Sequence, residues 1–180
     1  MKGAQSRNSR NDCDSRFVNM SVSHHASHHI RSQEKIMSAE NEVRKVSEQF
    51  YSAINRMLNG DAAPLADIWS HSASVTTMHP LGGLQVGWDK VRESFEQVAG
   101  IATGGQATLA DQNIQVGGDM AYEVGVEHAQ AKFAGQQVAM ENRVTNIYRR
   151  EAGGWKMVHH HTDVSPTIVE VLSRLPAAAR

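Results

Sequence analysis

Cysteine is almost absent from this 180-residue chain, Cys13 being the single one. One thiol builds no internal disulfide framework and fits a reducing compartment, so cytoplasmic residence is the expectation. Neither sign of charge is in excess. A formal net charge of −1 argues against a general nucleic-acid binder and against a partner of acidic membranes. No apolar run approaches the ~18 residues of a membrane span, and the N-terminus lacks the apolar stretch of a secretory signal. Catalytic signatures are missing too. There is no glycine-rich phosphate loop, dinucleotide fingerprint or Gly-x-Ser-x-Gly elbow. Nucleotide-dependent and nucleophilic hydrolase chemistry are thereby disfavoured and no cofactor is implied. Acid–base chemistry or plain binding of a small molecule is left.

What is present begins with a polar tail. Residues 1–37 are rich in Ser, Asn, Arg and His and have too few apolar side chains to offset ordering entropy, which predicts a disordered segment. Its His24, His25, His28 and His29 would form metal-capable i,i+4 pairs if helical, although a solvated extension explains them more simply. From Ser38, a plausible N-cap, Val43, Val46, Phe50, Ala53, Ile54 and Met57 recur at helical spacing up to Asn59-Gly60. A short helix over 61–69, a strand over 72–79 and a helix over 88–99 follow. The runs 106–116, 120–132, 137–150 and 155–164, separated by short glycine-bearing gaps, predict consecutive antiparallel hairpins. The expected fold class is α+β, with N-terminal helices packed on a curved, mainly antiparallel sheet. Its expected bounds are 38–168, with a C-terminal tail over 169–180.

Histidine marks the candidate chemistry. In the last run His159 and His161 share one strand face and His160 takes the other. In 122–128, Tyr122, Val124, Val126 and His128 share a face that, being apolar, is expected to point inward, leaving Glu123 and Glu127 outside. Arg143 needs a partner at mid-strand: Glu141 on its own face, or an anionic ligand group. His79 ends the first strand beside Pro80, where a side chain can lean over a cavity mouth. Tyr51, Trp69 and Trp88 offer apolar walls with polar tips. The His159/His161 pair could chelate a metal, but no third ligand is identifiable, so no metal is expected.

Several segments taken together resemble the nuclear transport factor 2-like superfamily, especially its SnoaL-like and ketosteroid-isomerase-like members. They are Leu58-Asn59-Gly60-Asp61 with Ile68-Trp69, Val75 to Gly82 with Gly87-Trp88, Arg143-Val144-Thr145, and Gly154 to His161. The last also resembles the association domain of calcium/calmodulin-dependent protein kinase II. The resemblance implies a cystatin-like α+β barrel with a conical pocket, and homodimers through the outer sheet face. Ketosteroid isomerase uses an aspartate base with a tyrosine and a protonated aspartic acid as oxyanion donors. Those places fall here on His79, near Ala53 and near Thr145, so ketosteroid isomerisation is not expected. The kinase comparison turns Arg143 and His160 toward the pocket. Two functions stay open. One is a non-catalytic ligand-binding or oligomerisation domain taking a small, possibly anionic molecule. The other is a small acid–base enzyme of isomerase, cyclase or dehydratase type. Its base would be His79 and its anion stabiliser Arg143, with Tyr51, Trp69, Trp88, Tyr122, His128, Thr145 and His160 around the ligand.

Overall fold

The computed structural model describes residues 15–174, with side chains from Arg31 onward. The chain divides into two units, Met1–Ser38 and Ala39–Arg180. The first helix, α1 (Ser15–Met57), starts well before the predicted N-cap at Ser38. Neither glycine nor proline occurs between Gly3 and Gly60, so no residue interrupts helical geometry there. Helix thus begins at Ser15, inside the segment for which disorder was expected. Residues 1–14, with Cys13, lie outside the described residues, as do the side chains of His24, His25, His28 and His29.

Within the second unit, α1 buries Val43, Phe50, Ala53, Ile54 and Met57 of the predicted apolar stripe, with Val46 half-buried, and adds Ala39 and Tyr51; Gly60 ends it with φ +97°. A single 3-10 turn (Ala63–Asp67) stands where a helix was expected. Strands β1 (Thr76–Met78) and β2 (Gln85–Val86) are short, and α2 (Trp88–Ile101) follows at once. The meander is then β3 (Ala102–Gly117), β4 (Met120–Phe133), β5 (Gln136–Glu151) and β6 (Gly154–Thr162). The β4–β5 turn puts both Ala134 and Gly135 at positive φ, the twist a tight hairpin requires. A last helix, α3 (Pro166–Ser173), buries Ile168 and Val171, so the core extends into the segment read as a tail.

The six strands run in the order β2-β1-β6-β5-β4-β3. All pairings are antiparallel except β1 with β6, which are parallel. The sheet is open, ending at β2 and β3, so the fold is a curved α+β sheet rather than a closed barrel. Two bulges decide which side chains reach the interior. In β3, Asp111 and Gln112 together oppose Gly125 on β4, which turns Gln112 inward. In β6, Val158 is the extra residue between Tyr148↔Met157 and Ile147↔His159. The inward set therefore changes from Trp155 and Met157 before the bulge to His160 and Thr162 after it.

Candidate functional site

Strand β4 faces opposite to the sequence expectation. Its inner face carries Ala121, Glu123, Glu127, Ala129, Ala131 and Phe133, all buried. Tyr122, at 49% exposure, and Val124 lie outside, and His128 is half exposed beside Glu141. The inner row is small and acidic because α1 packs close to it and because both carboxyl groups have work inside. At Gly125 it is the neighbouring strand that leaves no room: a Cβ there would sit 2.7 Å from the Ala110 carbonyl of β3.

Glu123 is fully buried and accepts three hydrogen bonds, from Gln112 Nε2 (2.5 Å), Asn146 Nδ2 (2.7 Å) and Tyr148 Oη (2.8 Å). Because the carboxylate takes the amide nitrogen of Asn146, the amide oxygen must face His160, and His160 Nδ1 donates to it at 2.7 Å. Nε2 is then the lone-pair nitrogen of His160. The imidazole is held neutral by burial first and then by His79, His159 and His161, which together depress its pKa well below the ordinary value.

His79 is fixed in a similar way. The single proton of Ser94 Oγ goes to the Val91 carbonyl at 2.7 Å, so Ser94 must accept from His79 Nε2 at 2.8 Å. Nδ1 is left as the basic nitrogen. The ring stands edge-on to Phe95 (4.8 Å) and 6.3 Å from the His160 ring, and burial lowers its pKa to about 4. Glu127 completes the group. Burial pushes its carboxyl up to about 7, with the Tyr51 hydroxyl alongside pulling the other way. Tyr51 Oη has Glu127 and Asn146 as polar neighbours but forms a well-made hydrogen bond with neither, and burial, then both glutamates, raise its pKa. Asn142 Nδ2, directly across the ladder from Glu127, is another buried group without a partner.

His79, His160 and Glu127 line one interior cavity of about 50 Å³, walled by Ile54, Met57, Leu58, Phe95, Phe133 and Met140. Three titratable groups of shifted pKa in an apolar enclosure can hold and move a proton. A larger cleft of about 600 Å³ opens outside it and shares His79, Leu81 and Val98 with the cavity. Among the described residues, no cluster of three His, Cys, Asp or Glu is spaced to hold a metal.

The other expected residues lie elsewhere. Arg143 points outward, its side chain 84% exposed, in a bidentate pair with Asp163. It is corrected from pocket cation to surface ion pair: it occupies the outer phase of β5, whose inner phase holds Asn142, Val144 and Asn146. Thr145 shares that outer face, as do Tyr122 and His128. Trp69 is a buried core residue against Phe95, and Trp88 stacks flat on His71 at 4.5 Å. Tyr51 is interior but sits behind Glu127 rather than on the cavity wall. His159, its Nδ1 bonded to Thr76 Oγ1, and His161 take the outer side as predicted. Sequence reasoning missed Glu127, Glu123, Asn146 and Ser94. The signal that could have found the glutamates is their row, in which Ala121, Gly125, Ala129 and Ala131 leave room for a helix.

Comparison with known proteins gives one family and one fold. The sequence profile of the SnoaL-like domain matches residues 43–166. No curated protein shows significant sequence similarity. Among solved structures, the chain is similar to a candidate dehydratase of the nuclear transport factor 2-like family from Streptomyces avermitilis. Identity is 25%, with 71% of this chain and 96% of that one covered at a TM-score of 0.63. A candidate calcium/calmodulin-dependent protein kinase type II association domain from Thiobacillus denitrificans is also 25% identical, covering 67% and 92%, TM-score 0.52. A candidate ketosteroid isomerase from Shewanella frigidimarina is 21% identical, covering 66% and 92%, TM-score 0.54.

Proposed function

The chain belongs to the SnoaL-like domain family and has the nuclear transport factor 2-like α+β fold, and on that premise we propose that its interior cavity is an acid–base catalytic site for a small organic molecule. The observation that carries the reading is the convergence of His79, His160 and Glu127 on one apolar enclosure. At neutral pH His79 is an unprotonated base, and about half of Glu127 keeps its proton. An enclosure of low polarity strengthens such proton transfers. The likeness to a candidate dehydratase supports elimination of water as the reaction.

For a β-hydroxy ketone the steps balance within these residues. His79 Nδ1 removes the proton on the carbon between the two oxygen-bearing carbons. The electron pair forms the C=C bond as the C–O bond breaks, and Glu127 gives its proton to the departing hydroxyl, releasing water. The proton on His79 then returns to Glu127. Arg143 has no part in this, and the cavity contains no cation for an anionic group. The test is absorbance of the enone formed from a panel of β-hydroxy ketones such as 4-hydroxy-4-phenylbutan-2-one. Turnover should fall about 100-fold or more in His79→Asn and Glu127→Gln. Turnover equal to wild type in both variants, or none by wild type across the panel, overturns the reading.

The outer sheet face supports a homodimer beside this chemistry. Met120, Tyr122 and Val124 are exposed there on one strand, a band of apolar surface that a second copy would cover. The likeness to a kinase association domain is in keeping with self-assembly. No described helix is long and apolar enough to cross a membrane, and the scarcity of cysteine supports a cytoplasmic setting.

A further inference from the structure

Resting on the catalytic reading above, we infer that the substrate is a neutral molecule with an apolar body, and that it donates a hydroxyl hydrogen bond to His160 Nε2. The argument starts from what the cavity can accept and donate. Glu123 takes the Asn146 amide nitrogen, Asn146 turns its oxygen to His160, and His160 spends its Nδ1 proton there. His160 therefore has only a lone pair to offer at Nε2. Glu123 thus acts at one remove, as a positioning residue that sets the polarity of the His160 ring. An ether or ketone oxygen, itself an acceptor, would meet that lone pair unfavourably. A hydroxyl would match it.

Size and charge define the rest of the molecule. A cavity of about 50 Å³ admits only the end of a ligand, since a water molecule's own share of liquid volume is about 30 Å³. The body must occupy the adjoining cleft, whose 600 Å³ is the size of a small-molecule site. The two spaces adjoin, with His79, Leu81 and Val98 lining both. Ile101, Val169 and Leu172 make the cleft apolar, its amides are Gln85 and Gln97, and no Asp, Glu, Lys or Arg lines it. A charged body would lose water there without gaining a partner.

Binding is measured by thermal stabilisation with three probes of similar size: 1-phenylpropan-1-ol, its methyl ether, and 3-hydroxy-3-phenylpropanoate. None carries a ketone beside the reacting carbon, so affinity is read apart from turnover. The alcohol should bind at least tenfold more tightly than the ether and the carboxylate. In Glu123→Gln, Asn146 is free to turn and present its nitrogen to His160, and the preference for alcohol over ether should be lost. Should that variant fail to fold, the long-range 1H–15N imidazole spectrum of the wild type decides. It should show His160 protonated at Nδ1, and protonation at Nε2 overturns the inference. Equal affinity for alcohol and ether, or tighter binding of the carboxylate, also overturns it. Selective binding of the alcohol without turnover of any hydroxy ketone would leave this inference and remove the catalytic reading. Turnover without selectivity would do the reverse.

Discussion

The two faces of the sheet use the same residue types to opposite ends. Inside, Glu123 and Glu127 are four residues apart on β4, both buried, yet one is tied by three donors and the other has none of comparable quality. Outside, Glu141 and Arg143 stand on β5 in water, and Arg143 is matched by Asp163. Burial alone does not mark a functional carboxyl. A saturated one holds the structure together, an unsaturated one keeps a labile proton, and an exposed one does neither.

Substitutions should separate these three states in order. Glu123→Ala leaves Gln112, Asn146 and Tyr148 facing an apolar space, and should cost about 3–5 kcal/mol by chemical denaturation. Next comes pH. Glu127 has its folded pKa raised to about 7 from 4.5, so its contribution is intact below pH 4.5 and is lost as pH rises through 7. His79 has the opposite sign. Its folded pKa is lowered to about 4 from 6.5, so its contribution is intact above 6.5 and is lost as pH falls through 4, and His160 acts in the same direction. Each of these two displacements corresponds to on the order of 3 kcal/mol. The two opposing trends overlap, so Glu127→Gln should remove the falling one and make unfolding free energy rise more steeply from pH 4 to 6.5 than in wild type. Turnover should follow a bell with limbs near the same two values, the upper one disappearing in Glu127→Gln.

Smaller effects sharpen the comparison from the other side. Gly125→Ala forces a methyl against the Ala110 carbonyl and should cost about 1–3 kcal/mol, read from the denaturation midpoint. Tyr122→Asp should leave the monomer's stability within about 0.5 kcal/mol but halve the mass seen by light scattering. Arg143→Ala should change neither the melting temperature nor turnover measurably, because its ion pair is fully in solvent.

Much of the architecture was legible because hairpins and amphipathic helices announce themselves by period. The four long strands lie within a few residues of their expected ends, and the outward pair His159 and His161 was separated correctly from His160. The site was only half legible. His79 could be placed because a proline ends its strand, and His160 because the fold resemblance set the phase of β6. Glu127 could not, since the rule that apolar faces turn inward fails on a strand whose inner row holds two buried carboxyl groups and whose outer row exposes Tyr122 and Val124. Arg143 was misplaced through the same assumption of phase. Asn146 and Ser94 act only through hydrogen bonds to histidines distant in sequence, and nothing local in their neighbourhoods signals that role.

The bulge at Val158 has an evolutionary consequence. Three consecutive imidazoles stand just beyond it, and which of them is sealed inside depends on that one additional residue. Were Val158 to pair within the ladder instead of bulging from it, plain alternation from Met157 would place His159 and His161 in the interior and His160 outside. A lineage carrying this run of histidines could thus exchange one proton-handling site for another by a one-residue shift of strand register, with no substitution at any histidine.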